Sequence, residues 1–191
     1  MKAVVVYASK YGSTRGIAEF IAEKLRQAGT QAEARDVGEV QNPGDYDAFV
    51  IGSAVYMTNW LKEAAEFVTR NRALLANRPV WLFSSGPLGT ETKDDKGQDL
   101  RTVTEPKEIA EFRELIKLCD HRVFFGALDS SKLGFGHRML RKLPAGRNLL
   151  PEGDFRDWND IEAWAISIAR ALETAKPTPG SNKSAQGGSA Y

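Results

Sequence analysis

Four runs of consecutive apolar residues constrain the fold of this chain more than any other feature. They are Ala3–Ala8, Ala48–Gly52, Val80–Ser84 and Val123–Leu128, and a fifth, more polar run covers Gln31–Asp36. A strand that is apolar at every position is typical of a parallel sheet covered on both faces, whereas alternation is typical of a sheet with one solvated face. The sequence therefore predicts four buried parallel strands and one polar strand at an edge.

Segments with helical periodicity lie between these runs. Their apolar faces extend from Ile17 to Leu25, from Leu61 to Val68, from Ile109 to Cys119 and from Ile161 to Leu172. In each segment the apolar side chains recur three and four residues apart, which is the spacing of one helix face. Strands that alternate with helices predict an α/β fold, a doubly wound five-stranded parallel sheet with helices on both faces.

The loop after the first run has the chemistry of an anion-binding site. Its residues are Ser9, Lys10, Tyr11, Gly12, Ser13 and Thr14. The first N–H groups of the helix that follows have no intrahelical partner and carry partial positive charge, and three hydroxyl groups add further donors. The glycine lets the backbone approach a bound oxyanion closely. We expect a phosphate group here; an ordinary capped strand–helix turn is the alternative.

The pattern [ST]-x-x-G-x-T in this loop resembles the phosphate loop of the flavodoxin-like FMN proteins. The dinucleotide fingerprint G-x-G-x-x-G and the nucleoside-triphosphate pattern G-x-x-x-x-G-K-[ST] are both absent after the first run. The resemblance implies FMN as the cofactor and the flavodoxin-like strand order 2-1-3-4-5. In that order the switch point lies between the first and third strands, so the ligand is expected at the loops after strands one, three and four.

Both remaining loops at the switch point have suitable residues for a flavin. The loop after the third run begins with Ser53, Ala54, Val55 and Tyr56, and the loop after the fourth contains Ser85, Gly86, Pro87, Leu88 and Gly89. We expect Tyr56 to stack on the isoalloxazine ring and Trp60 to be the first buried position of the next helix. The two glycines and the proline predict a rigid turn whose amides bind the pyrimidine edge of the flavin.

Further segments resemble the menaquinone-dependent protoporphyrinogen oxidase branch of the flavodoxin superfamily. They are Arg15 after the phosphate loop, Ile51–Tyr56, Phe125–Leu128 before a basic insertion, and Asp157–Trp158. This resemblance implies an enzyme that oxidises a porphyrinogen for haem synthesis and passes the electrons to a membrane quinone. The alternatives are a flavodoxin-type electron carrier and a non-catalytic scaffold. Family carriers are strongly acidic, whereas the net charge here is +1; this balance also gives no reason to expect a nucleic-acid partner.

Two segments, one polar and one basic, lie outside the flavodoxin pattern. Residues 91–103 are predicted to be either a mobile flap beside the flavin or a disordered segment. The insertion at about 130–150 has no acidic residue between Lys132 and Leu143. Its Leu133, Met139, Leu140 and Leu143 predict an amphipathic helix that contacts anionic lipid or an acidic partner, and the alternative is a short packed helix with a solvated basic edge.

The rest of the chain adds limits on domain organisation and chemistry. We expect one FMN-binding domain over residues 1–175 and a disordered tail over residues 176–191, which are rich in Gly, Ser and Pro. We expect no metal site, no signal peptide and no Ser-His-Asp set, and we interpret His121 and Cys119 as structural. The single cysteine fits a reducing, cytoplasmic location, with peripheral contact at the inner face of the membrane left open.

Overall fold

The computed structural model describes residues 1–143 and 150–175. The strands are β1 (Lys2–Ala8), β2 (Gln31–Asp36), β3 (Ala48–Tyr56), β4 (Asn59–Trp60), β5 (Val80–Ser85), β6 (Leu118–Phe124), β7 (Ala127–Leu128) and β8 (Gly153–Asp154). The helices are α1 (Ser13–Gln27), α2 (Lys62–Arg70), α3 (Arg72–Leu75), α4 (Leu100–Val103), α5 (Glu108–Leu115), α6 (Phe135–Arg141) and α7 (Trp158–Thr174). The predicted disordered tail, residues 176–191, lies outside the described residues.

The main sheet has the predicted doubly wound topology. Its parallel strands follow the order β2-β1-β3-β5-β6, and β4 pairs antiparallel with the end of β3. This is the predicted order 2-1-3-4-5 once the short β4 hairpin strand is counted separately. The register places Ala8 beside Ser53 and Ala54 beside Ser85, so the carboxyl ends of β1, β3 and β5 adjoin.

Two apolar cores, one on each face of the sheet, hold the helices in place. Ile17 and Ile21 of α1 pack with Trp164 of α7 on one face. Phe67 of α2 and Phe112 of α5 pack on the other face. The central strands β1, β3 and β5 are apolar along most of their length because both of their faces are buried, which is why the continuous apolar runs predicted them correctly.

The fifth predicted strand is displaced in the structure. The run Val123–Leu128 is divided between the end of β6 and the separate short strand β7, and β6 begins at Leu118. The first half of β6 is polar because this strand lies at the edge of the sheet, where only one neighbouring strand covers it. Cys119 therefore lies on a strand and is exposed, so its prediction as a core residue at the end of a helix is wrong.

Both segments outside the flavodoxin pattern contain local structure. In residues 91–103, Lys93 forms a bridge with Asp99, and the Asp94 carboxylate accepts from the N–H groups of Lys96 and Gln98. Helix α4 follows directly, with the Asp99 side chain capping its first turn. Mobility of this segment stays a prediction.

The insertion forms a short 3-10 turn at Ser130–Lys132 and then α6. Leu133 is 4% exposed and belongs to the core, so its prediction as part of an exposed apolar face is wrong. Phe135 and Leu143 are exposed, as are Met139 and Leu140. Residues 144–149 of the insertion are outside the described part of the chain.

Candidate functional site

A cavity of about 260 Å³ opens at the carboxyl ends of β1, β3 and β5. Predicted site residues that line it are Ser9, Lys10, Tyr11, Ser13, Thr14, Ala54, Val55, Tyr56, Ser85, Gly86 and Leu88. The fold brings these residues together because parallel strands end at the same edge, and β1 and β3 adjoin at the switch point. Of the other predicted residues, Gly12 and Gly89 border neighbouring cavities, and Ser53 and Pro87 lie in the surrounding structure.

The first loop is shaped by its glycine and closed by a serine. Gly12 has a φ of 91°, and its N–H donates to Ser9 Oγ at 3.1 Å just before α1 begins. Ser13 Oγ accepts from the N–H of Ala127 at 2.8 Å and lies 3.3 Å from Ser85 Oγ. Ser13 therefore ties the start of α1 to the loops after β5 and β6, while the positive end of the α1 dipole borders the cavity.

Thr14 is the residue that indicates a ligand. Its side chain is fully buried and lines the cavity, yet among the described residues its Oγ1 has no hydrogen-bond partner. A buried hydroxyl without a partner costs about 1–3 kcal/mol. An acceptor oxygen in the cavity, such as one of a phosphate group, would satisfy it and would also face the positive end of α1.

Tyr56 and Lys10 form the next part of the wall. Lys10 Nζ lies 5.1 Å from the centroid of the Tyr56 ring and 5.7 Å from that of Tyr11. Burial, with a smaller contribution from Tyr11, raises the pKa of Tyr56 to about 12. The Tyr56 side chain is therefore neutral at physiological pH and offers an uncharged aromatic plane beside a positive charge.

The loop that follows the third predicted strand is a tight hairpin. Met57 and Thr58 join β3 to β4 with φ angles of 50° and 65°, which non-glycine residues rarely adopt. The Lys107 N–H donates to Thr58 O at 3.3 Å, and the Asn59 side chain donates to Met57 O at 2.7 Å. Trp60 is buried as predicted, but on β4, because α2 begins only at Lys62.

The loop after β5 is pinned by backbone hydrogen bonds. The Gly86 N–H donates to Phe124 O at 3.1 Å, and the Gly126 N–H donates to Pro87 O at 2.8 Å. These two amides hold the loops after β5 and β6 together. A Cβ at Gly126 would lie 3.3–3.4 Å from Leu88 and from the hydroxyls of Ser13 and Ser85, so the packing around this glycine is tight.

Sequence reasoning missed one wall of the cavity. Met57, Gly126, Ala127, Leu128 and Leu150 also line it. The switch-point rule predicts ligand contacts from the loops after strands one, three and four, and it does not include the loop after the last strand. Met57 carries no local signal, since a turn without glycine is not recognised as a hairpin.

The structure also forms a Ser-His-acid arrangement, contrary to the sequence expectation. Ser84 Oγ lies 2.9 Å from His121 Nε2, and His121 Nδ1 lies 2.9 Å from Glu105 Oε1. Ser84 is fully buried and does not line the cavity, so its hydroxyl is inaccessible to a substrate as a nucleophile.

Comparison with known proteins identifies the family. A family model described as a flavodoxin domain matches residues 4–145, most of the chain. The chain belongs to the flavodoxin domain family. FMN is therefore its cofactor, and the unpartnered Thr14 hydroxyl, the start of α1 and the Lys10 charge fit the phosphate of that group.

Solved flavodoxin structures share the fold. A flavodoxin from the domain Archaea aligns with a TM-score of 0.56 at 17% identity, covering 91% of this chain and 99% of the other. Flavodoxin 2 from Bacillus cereus also gives 0.56 at 17% identity, covering 90% and 99%. Rubredoxin oxygen:oxidoreductase from Desulfovibrio gigas gives 0.56 at 18% identity, covering 91% of this chain and 36% of the longer protein.

A curated relative is similar over a shorter segment. Protoporphyrinogen IX dehydrogenase (quinone) of Escherichia coli is 29% identical over 86 residues, which are 44% of this chain and 48% of that protein. The match thus spans about half the length of the relative. The flavodoxin domain family by itself supports a redox role for this chain.

Residues 1–143 and 150–175 contain neither a membrane-spanning helix nor a metal-binding cluster. In this part of the chain no helix is both long and apolar enough to span a bilayer. The same residues contain no group of three or more His, Cys, Asp or Glu side chains arranged to hold a metal ion.

Proposed function

We propose that this protein is an FMN-dependent oxidoreductase that oxidises a porphyrinogen and passes the electrons to a membrane quinone. The observation that carries the proposal is the cavity at the switch point, whose buried Thr14 hydroxyl lacks a partner among the described residues. The similarity to a protoporphyrinogen IX dehydrogenase (quinone) supports this choice of substrate and acceptor.

The residues of the cavity have distinct tasks in such a reaction. Bound FMN supplies the redox chemistry, accepting electrons from one partner and giving them to another. Thr14 and the start of α1 bind its phosphate, and Lys10 adds positive charge. The neutral ring of Tyr56 gives the flavin an aromatic surface, while the hydrogen bonds of Gly86 and Gly126 fix the opposite wall.

The surface formed by α6 and its flanking residues supports a membrane-bound acceptor. The exposed fractions of Phe135 and Leu143 are 82% and 59%, and the exposed cations Lys132, Arg138 and Lys142 lie among them. Leu128, which lines the cavity, directly precedes this segment. An apolar and basic surface close to the cavity suits a protein that meets a lipid quinone at the cytoplasmic face of an anionic membrane.

The test is an anaerobic assay with FMN-loaded protein, protoporphyrinogen and a menaquinone analogue in vesicles. We expect porphyrin fluorescence to rise only when protein and quinone are both present. The Thr14→Val variant should lose the activity at FMN concentrations that saturate the wild type. The Thr104→Val variant is the matched control, because its hydroxyl donates to Leu100 O away from the cavity.

A flavodoxin-type electron carrier is the second candidate, favoured by the flavodoxin structures that align over 99% of their length. A carrier would exchange electrons with reductases through FMN and leave protoporphyrinogen unchanged. Absence of porphyrin formation by FMN-loaded protein with quinone would reject the enzyme proposal and favour the carrier.

A further inference from the structure

A continuous chain of hydrogen bonds runs behind the flavin cavity. Trp60 Nε1 donates to Ser84 Oγ at 2.8 Å, and Ser84 Oγ lies 2.9 Å from His121 Nε2. His121 Nδ1 lies 2.9 Å from Glu105 Oε1, and Arg113 Nη2 donates to the same oxygen at 2.7 Å. The chain joins β4, β5 and β6 to the segment that precedes α5.

The chemistry of the groups fixes the direction of each bond. An indole N–H can only donate, so Ser84 Oγ is the acceptor from Trp60. The Glu105 carboxylate accepts, so His121 Nδ1 carries a proton and Nε2 is left to accept the Ser84 hydroxyl proton. Trp60 is 4% exposed, Ser84 is 0% exposed and the His121 side chain is 3% exposed, so water does not replace these partners.

The Trp60 end of this chain supports the residues that face the flavin. Trp60 pairs with Val55 and Asn59 pairs with Tyr56, and both Val55 and Tyr56 line the cavity. The Met57–Thr58 turn between them has left-handed backbone angles at two non-glycine residues. Such a turn persists only where its surroundings hold it, and the buried indole of Trp60 is the anchor of its second strand.

We propose that His121 is a positioning residue of the flavin cavity. Through Ser84 and Trp60 it holds the hairpin of β3 and β4, which carries Tyr56, in its flavin-binding form. The neutral imidazole accepts the Ser84 proton and completes the chain. A protonated imidazole donates from Nε2 instead, and the Ser84 hydroxyl then loses its acceptor in the chain. The Trp60 bond is thereby altered, and the hairpin loses part of its support.

The charges around His121 and its burial determine the pH at which its imidazole becomes protonated. Glu105 faces it from the segment before α5 and Asp120 adjoins it on β6, and both favour the imidazolium, whereas burial and Arg113 of α5 oppose it. Burial dominates and lowers the pKa of His121. Arg101, Arg122 and Asp160 line a surface cavity on the Glu105 side of His121.

The first experiment follows the indole N–H resonance of Trp60 in FMN-free protein between pH 8 and pH 4.5, assigned with Trp60→Phe. We expect the resonance to titrate once in this range in the wild type and to stay constant in His121→Gln. Glu105→Gln removes the negative charge that favours the imidazolium and should shift the midpoint to lower pH. A Trp60 resonance that does not move, or that moves equally in His121→Gln, would overturn the proposal.

The second experiment links the chain to the flavin. We expect His121→Gln to weaken FMN binding 3- to 10-fold at pH 7.5, measured by quenching of FMN fluorescence. Val123→Ala on the same strand is the matched control for loss of packing and should leave the dissociation constant within 2-fold. Equal weakening by both variants would show that the hydrogen-bond chain acts only on stability and would reject the positioning role of His121, whichever substrate the protein uses.

Discussion

At the scale of single residues, Thr14 separates the requirements of folding from those of binding. In the described structure without a cofactor its buried hydroxyl has no partner, and a phosphate oxygen would provide one. Thr14→Val removes the hydroxyl without changing the shape of the side chain. We expect the variant to be more stable than the wild type without FMN, by about 1 kcal/mol or more, and to bind FMN more weakly by about 1.5–3 kcal/mol.

Urea unfolding of FMN-free protein measures the expected gain in stability, and FMN titration measures the expected loss of affinity. Thr104→Val should behave differently, because its hydroxyl has a partner outside the cavity: stability should fall and FMN affinity should be unchanged. Weaker stability together with unchanged FMN affinity in Thr14→Val would contradict the assignment of Thr14 to the phosphate.

At the scale of elements, Gly52 sets how closely β3 packs against its neighbour. A Cβ at this position would collide with the ring of Phe83, which is fully buried and packs against Phe124 and Trp164. We expect Gly52→Ala to lower the free energy of unfolding by about 1–3 kcal/mol, the usual cost of overpacking. Urea denaturation measures it, and Gly44→Ala, where the added Cβ meets open space, should change stability little.

A double variant distinguishes overpacking from other effects of the substitution. Phe83→Leu shortens the side chain that Gly52→Ala would meet, so the two changes together should cost less than their sum. Additive losses would show that the close approach of the Phe83 ring is not what requires a glycine in β3.

Helix α6 carries the second prediction at this scale. Phe135 and Met139 are exposed, and the cations Arg138 and Lys142 lie on the same short helix or just after it. Each cation adds roughly 1 kcal/mol of attraction near an anionic surface. We expect FMN-loaded protein to co-sediment with anionic vesicles at low salt, and less so as salt is added.

Substitutions can separate the contributions of charge and of apolar area to vesicle binding. Arg138→Glu with Lys142→Glu should abolish binding while FMN affinity is retained, and Phe135→Ser should weaken binding at all salt concentrations. Lys62→Glu is the control, since it is an exposed lysine on another helix. Equal binding by the double variant and the wild type would reject the membrane contact and support the alternative, in which α6 is a solvated basic edge.

The elements that sequence predicted best are those whose pattern is local. The apolar runs of β1, β3 and β5 and the face of α1 follow from neighbouring residues alone, and so does the glycine in the phosphate loop. The hydrogen bonds from Trp60 through Ser84 to His121 join three strands. No feature of the neighbouring sequence distinguishes Ser84 from other serines. The start of β6 was not predicted from an apolar run, because the first half of this edge strand is polar and edge strands need not be apolar.

At the scale of the whole molecule, His121 couples stability to pH. Burial lowers its pKa in the folded state, so below about pH 6.5 the unfolded chain binds a proton there that the folded chain does not. Stability therefore falls as pH drops from about 6.5 towards the folded pKa of His121, by at most about 1.4 kcal/mol per pH unit. Glu33, Glu105 and Asp154 have lowered pKa values, so their stabilisation is lost only in more acidic solution.

The measurement is urea unfolding of FMN-free protein at several pH values between 8 and 5. The chain has two histidines, His121 and His137, so a histidine contribution to the pH dependence of stability must come from one of these residues. We expect His121→Gln to flatten the profile between pH 6.5 and 5, because glutamine does not titrate. A slope that survives in His121→Gln would mean that other groups govern stability in this range, and that His121 is protonated as readily in the folded chain as in the unfolded one.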